Sequence, residues 1–256
     1  MSRTITVAFD GDIAVITLAN PPLNLFGADS FDELDDCLER IERSSARAAV
    51  WRADGRLMSG GVDVKVFAEA AERGDGFPSL IEPVSRLESL PIPTLALCHG
   101  VCLTAAFEIA LACDLIWAGE SARFGLVEKV VGLTPGAGGT QRLAARAGVG
   151  RASELVMSGE TYDAATLREW GVVNRVVPDA ELEREGMAFA RELAAGPTLA
   201  HAATKRILRA FREGGVGAAD EITPGEFSGL FASEDLRGAV RSFLEDGPGK
   251  ATFRGR

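Results

Sequence analysis

His99-Gly-Val-Cys-Leu-Thr-Ala-Ala-Phe-Glu-Ile-Ala-Leu-Ala-Cys-Asp114 is the stretch on which the reading of this chain turns. It belongs to the longest apolar segment, Leu95 to Ala112, which His99, Gly100 and Glu108 interrupt. That makes a poor membrane span and a good buried segment. If residues after Leu103 are helical, Glu108 lies one turn beyond Thr104 among almost wholly apolar neighbours. An ionised carboxylate there is costly unless paired, and a protonated one has a raised pKa. Glu108 is therefore a candidate acid/base group, with a buried ion pair to an arginine as the structural alternative.

Working outward, Met58-Ser-Gly-Gly-Val-Asp-Val-Lys65 lies upstream. Gly60-Gly61 allows a sharp turn and leaves the following N–H groups free. The start of the Glu108 helix, near Ala105, offers further unsatisfied N–H groups. Two such donors aimed at one oxygen would form an oxyanion hole, worth about 3 kcal/mol per donor in a transition state. Downstream, Phe124-Gly-Leu-Val-Glu-Lys-Val-Val-Gly132 places a second carboxylate, Glu128, inside an apolar run. Alone it reads equally well as a solvated residue beside Lys129. Converging with Glu108 on one cavity, it would complete an acid/base pair.

Further out, Ile5, Val7 and Phe9 alternate with polar residues. Asp10-Gly11 follows, then Ile13, Val15 and Ile16, which together predict a β-hairpin. Ser30 and Glu33 read as a capping box for a helix whose apolar face is Phe31, Leu34, Leu38 and Ile41. Short apolar runs at 48–51, 94–98, 114–117 and 172–177 predict strands in an α/β rhythm with parallel pairing. From Pro197 onward the pattern turns helical, over 197–212, roughly 218–232, and 234–245. The expectation is a core of strands and helices over residues 1–195 and a helical C-terminal region over 196–256.

Composition removes several classes of function. The net charge of −10 and the lack of a basic stripe argue against general nucleic-acid binding. The N-terminal residues to Asp12 are polar and strand-like, without a signal pattern. Cys37, Cys98, Cys102 and Cys113 show no CxxC spacing and suit reduced, packed thiols, so a cytoplasmic location is expected. Only two histidines occur, His99 and His201, without metal-ligand spacing, so no metal site is expected. No GxSxG elbow or GxxxxGK loop is found. Pro135-Gly-Ala-Gly-Gly-Thr140 lacks the third glycine of a dinucleotide fingerprint and reads as a tight turn into the helix of Thr140-Gln-Arg-Leu143.

Taken in order, Asn20-Pro-Pro-Leu-Asn24, Ser59 to Lys65, His99 to Asp114 and Arg123 to Leu143 resemble the crotonase family of enoyl-CoA hydratases and isomerases. The resemblance covers nearly the whole chain. It implies an α/β fold, a spiral of ββα units with a C-terminal helical trimerisation region, in homotrimers or dimers of trimers. It implies an acyl-CoA thioester as substrate, with no separate cofactor. By position Val62 and Ala105 resemble the oxyanion-hole residues, and Glu108 and Glu128 the two acid/base glutamates. Gly61, Asp63, Val64 and Lys65 resemble the substrate-binding segment along the coenzyme A groove. The implied activity is hydration of a 2-enoyl-CoA in fatty-acid or related acyl-CoA metabolism. Enoyl-CoA isomerase, acyl-CoA hydrolase and non-catalytic acyl-CoA binding are the alternatives; retention of both glutamates favours the hydratase over isomerases. One departure stands out: Thr104-Ala105-Ala106 replaces three consecutive glycines usual in such hydratases, which adds side chains beside the thioester. Residues near 66–80 and the C-terminal helices are expected to shape the acyl pocket.

Overall fold

The computed structural model describes residues 3–74 and 79–256, so part of the 66–80 stretch lies outside the described residues. The hairpin forms as expected: β1 (Ile5–Asp10) pairs antiparallel with β2 (Ile13–Leu18) across a turn at Gly11 and Asp12. α1 (Ser30–Glu42) then leads to β3 (Ala48–Ala53), which joins β2 in parallel. α2 (Val64–Arg73) and α3 (Ile81–Ser89) precede β4 (Thr94–Cys98), β5 (Val101–Leu103) and α4 (Ala105–Ala112). β6 (Leu115–Gly119), β7 (Arg123–Gly125), α5 (Gly139–Ala147) and α6 (Val149–Ser158) follow. Next come β8 (Tyr162–Asp163), α7 (Ala164–Glu169), β9 (Arg175–Val177) and α8 (Leu182–Ala195). α9 (Thr198–Gly229), which kinks at Gly214 and Gly215, and α10 (Glu234–Asp246) complete the chain.

Two sheets result. The larger runs β1-β2-β3-β4-β6-β9 and is parallel from β2 onward; the smaller runs β5-β7-β8. The chain visits them alternately. β4 feeds β5 and β6 feeds β7, while single bridges, Ser59 to Cys102 and Phe26 to Val62, extend the smaller layer. This alternation is the ββα spiral. The larger sheet is covered on both faces, so β3 and β4 are buried almost throughout and appear in the sequence as mainly apolar runs. One face packs in the main core with Phe31, Leu34, Phe107 and Phe124. The other meets Leu182, Ala190 and Ala194 of α8 through Val50, Leu95 and Trp117.

The helix face of α1 is buried at Phe31, Leu34, Leu38 and Ile41, as its spacing predicts. The capping box is a misreading. Asp29 is the N-cap residue and makes no side-chain cap. Ser30 Oγ instead accepts from Gly27 N–H at 2.9 Å. The Glu33 carboxylate accepts from the Thr4 and Ile5 N–H groups, each at 2.9 Å, and from Thr4 Oγ1 at 2.7 Å. It therefore satisfies the first amides of β1, a tertiary demand that outranks the local motif.

No strand follows Val177 among the described residues, and the C-terminal helices dock on the core through polar clamps. Lys205 on α9 donates to Asp114 at 2.7 Å and to the Ile92 carbonyl at 2.9 Å. Arg47 donates to Gly196, Thr198 and Phe253 together. All four cysteines are unpaired and buried.

Candidate active site

α4 sets the site. Every residue of this short helix is buried, and Glu108 is only 2% exposed. Its Oε1 accepts from the Ala137 N–H at 2.8 Å and from the Gly139 N–H at 2.9 Å. These donors belong to the Pro135–Thr140 turn, which does lead into a helix, as the sequence suggests, and also grips a carboxylate. Glu108 makes no ion pair among the described residues. Its pKa stands above the ordinary carboxylate value because burial outweighs the two amides and the nearby Arg142 charge, which act to lower it.

Glu128 begins a 3-10 turn over Glu128–Val131 and is buried, not solvated. Neither carboxylate oxygen finds a hydrogen-bond partner among the described residues. Burial pushes its pKa up to about 7, with the Glu108 charge adding to the rise. The two carboxyls thus share a desolvated setting but differ in support: one is held by amides, the other has no partner among the described residues.

The amide side is equally specific. The Asn20–Asn24 loop braces the turn that carries Val62: Asn24 Nδ2 donates to the Asp54 and Leu57 carbonyls, and Gly60 N–H donates to the Leu23 carbonyl. Phe26 uses the Gly61 carbonyl and the Asp63 N–H, which leaves the intervening Val62 N–H without an acceptor among the described residues. Ala105 is the first residue of α4, ahead of its first helical bond, Glu108 N–H to Thr104 carbonyl, so its N–H is likewise unbonded. Gly61 has φ +112°, and a Cβ there would stand 2.8 Å from Thr104 Oγ1, so only glycine fits. Thr104 itself has φ +48° and ψ −124°, an unusual backbone for a β-branched residue, and its buried hydroxyl has no partner among the described residues.

Val62, Ala105, Glu108 and Glu128 all line one cavity of about 780 Å³, and so do Val64 and Thr104. Most of the remaining wall is apolar, including Phe67, Leu80, Ile81, Val130 and Leu133. Gly61, Asp63 and Lys65 do not line it. Gly61 packs behind it on Thr104, and Asp63 caps α2 by accepting from the Lys65 N–H at 3.0 Å. The residues that sequence reasoning missed are Ala137 and Gly139. Their contribution is a backbone N–H, which carries no side-chain signal.

Fold and site together place two buried carboxyls, and two residues whose N–H groups find no acceptor among the described residues, around one largely apolar cavity of an α/β spiral. The family model described as enoyl-CoA hydratase/isomerase matches residues 8–256. A short-chain-enoyl-CoA hydratase of Clostridium acetobutylicum is 31% identical, covering 92% of each chain. A 2,3-dehydroadipyl-CoA hydratase of Escherichia coli is 35% identical over 79% of each. The crystal structure of an enoyl-CoA hydratase from Bacillus anthracis superposes with a TM-score of 0.89 at 27% identity, covering 99% of this chain and 100% of that one. The chain belongs to the enoyl-CoA hydratase/isomerase family, the crotonase family that its motifs resemble.

Proposed function

We propose that this protein hydrates 2-enoyl-CoA thioesters, in fatty-acid or related acyl-CoA metabolism. The observation that supports the reading is one cavity lined by Val62 and Ala105, whose N–H groups are unbonded among the described residues, and by the buried Glu108 and Glu128. In this reading the thioester carbonyl accepts from both amides, which stabilise the negative charge that builds on that oxygen as the enolate develops. Glu108, whose carboxylate form is favoured by two N–H donors, acts as base and takes a proton from water as the water oxygen bonds to the β-carbon. Glu128, protonated near neutral pH, delivers a proton to the α-carbon. Transfer from Glu108 back to Glu128 by way of solvent resets the site. The steps are addition of water, proton transfer and charge stabilisation, with no change of oxidation state overall, so the reading calls on no metal or redox group.

Asp63, Val64 and Lys65 are proposed to border the coenzyme A arm, with Gly61 supporting that turn from behind and the apolar wall beside the acyl chain. Exposed phenylalanines on the C-terminal helices support a homotrimer or a dimer of trimers. Four unpaired thiols suit the reducing cytoplasm.

The test is loss of enoyl absorbance with crotonyl-CoA and a medium-chain enoyl-CoA. Glu108→Gln and Glu128→Gln are each expected to lower turnover by a factor of about 100 or more, while a saturated acyl-CoA still binds. Absence of hydration at every chain length would remove the hydratase reading. Double-bond migration or thioester cleavage in the same assays would then mark the sister activities, and binding without any turnover a silent acyl-CoA carrier.

A further inference from the structure

Arg142 does not line the cavity, yet its side chain is only 10% exposed. Its Nη1 donates to the carbonyls of Ala137 and Gly138, both at 3.3 Å. Its Nε and Nη2 donate to Glu88 Oε2 at 3.2 and 2.8 Å, and Nη2 also reaches Ser85 Oγ at 3.2 Å. The peptide unit joining Gly138 and Gly139 is therefore held at both ends. Its carbonyl accepts from Arg142, and its N–H donates to Glu108 Oε1 at 2.9 Å. Both glycines make room for this arrangement. A Cβ on Gly138 would collide with the Arg142 guanidinium, and one on Gly139 would come within 2.7 Å of Glu108 Cγ.

We infer that Arg142 is a positioning residue for Glu108, acting through the 138–139 peptide and anchored by Glu88. The inference rests on the proposed acid/base role of Glu108. A guanidinium on the carbonyl end of a peptide polarises it so that its N–H binds an anion more strongly. The same positive charge favours the carboxylate directly, against the burial that disfavours it. The charged groups bearing on Glu108 are Glu128 from the 3-10 turn and Arg142 from α5. Behind Arg142 stand Glu88 from α3 and Arg212 from α9, which meets Glu88 at 3.1 Å. Arg142 is the cation among them that touches the loop gripping Glu108.

The experiment compares wild type with Arg142→Met, Arg142→Lys and Glu88→Gln in the full-length protein. The first readout is deuterium exchange of the 137–139 amides in ligand-free protein, which needs no turnover. Arg142→Met is expected to speed it by about tenfold or more, because the loop loses its clamp. The second readout is the pH profile of hydration. Arg142→Met is expected to lower kcat by about 10- to 100-fold, as loss of an outer partner does. KM and saturated acyl-CoA binding should stay within about twofold. The acid limb of kcat/KM should move to higher pH, since Glu108 loses a favourable charge. Arg142→Lys keeps the charge without the fork, so the limb should stay near wild type while kcat falls; Glu88→Gln should lower kcat without raising the limb. Wild-type exchange at 137–139 in Arg142→Met, with an unmoved acid limb, overturns the inference. So does a loss of rate that tracks loss of binding and of thermal stability. If Arg142→Met does not fold, faster exchange in both other variants supports the clamp, and wild-type exchange in both overturns it. If wild type hydrates no enoyl-CoA, the functional reading falls, and exchange alone decides whether Arg142 grips the loop.

Discussion

At the scale of single residues, Glu128 and Glu108 differ in what surrounds their oxygens, and this difference should appear in pH dependence. Burial, helped by the Glu108 charge, moves the Glu128 carboxyl from 4.5 up to about 7. If Glu128 must be protonated to act, kcat/KM should fall as pH rises through about 7. The stability sign follows from the same shift. The unfolded chain releases the proton at lower pH than the folded one, so folded wild type loses stability as pH rises from the ordinary carboxylate value to about 7. Glu128→Gln cannot ionise. It should melt higher than wild type at about pH 8, with the difference closing toward about pH 4. Melting curves across pH check this, and a constant difference would contradict it. A second residue-scale expectation concerns Gly61 and Thr104. Gly61→Ala should cost about 2 kcal/mol or more, through its positive φ and a clash with Thr104 Oγ1. Adding Thr104→Gly removes the clash but not the φ penalty, so the double variant should be more stable than additivity gives, by about 1 kcal/mol. Urea unfolding of the four proteins measures that coupling. Both glutamates are readable in the sequence because a charge inside an apolar run is conspicuous. Their supports are not: the Ala137 and Gly139 amides lie 29 and 31 positions from Glu108 and have no side-chain mark.

At the scale of elements, what the sequence shows and hides follows from length and burial. β3, β4 and β6 are apolar because both faces of the larger sheet are covered, so their runs stand out. The smaller sheet is built from β5, β7 and β8, of 3, 3 and 2 residues, too short for any alternation to show. Ser30 and Glu33 misled because a local pattern cannot reveal that β1 needs an acceptor. The docking of α9 is likewise tertiary. Asp114 accepts from Lys205 at 2.7 Å and from the Thr94 N–H and hydroxyl at 2.8 and 2.9 Å. Asp114→Ala leaves the mostly buried Lys205 ammonium with the Ile92 carbonyl but no counter-charge, and the Thr94 N–H without its acceptor, and should destabilise by about 2–3 kcal/mol. Lys205→Met should cost less, because Thr94 still satisfies the aspartate. Denaturant midpoints for the two variants test the order, and the reverse order would mean that the lysine, not the aspartate, organises the junction.

At the scale of the whole molecule, the distribution of exposed apolar side chains is uneven. On α9, α10 and the turn between them, Leu208, Phe211, Phe227, Phe231, Phe243 and Leu244 are each at least half exposed. Phe227 and Phe231 also stack edge to face, 5.4 Å apart. Such a surface is unfavourable for an isolated chain, since apolar area left in water forgoes about 25 cal/mol per Å². Association of copies through these helices would cover it, and the trimer implied by the sequence resemblance is one closed arrangement that does so. Replacing Phe227 and Phe231 together with glutamate places like charges on the surface without touching the cavity, which lies within residues 60–136. The expected result in light scattering coupled to size exclusion is a shift from trimer or hexamer to monomer, with the circular dichroism spectrum retained. Wild type eluting as a monomer would remove the oligomer proposal. An unchanged oligomer in the double variant would move the interface to another face. Because α9 also carries Arg212, which shares Glu88 with Arg142, an interface on α9 would reach the loop that holds Glu108 through these ion pairs. If subunit contacts steady α9, the monomeric variant should show faster exchange at the 137–139 amides as well as lower kcat. Unaltered exchange in the monomer would show that the clamp on Glu108 is complete within one chain.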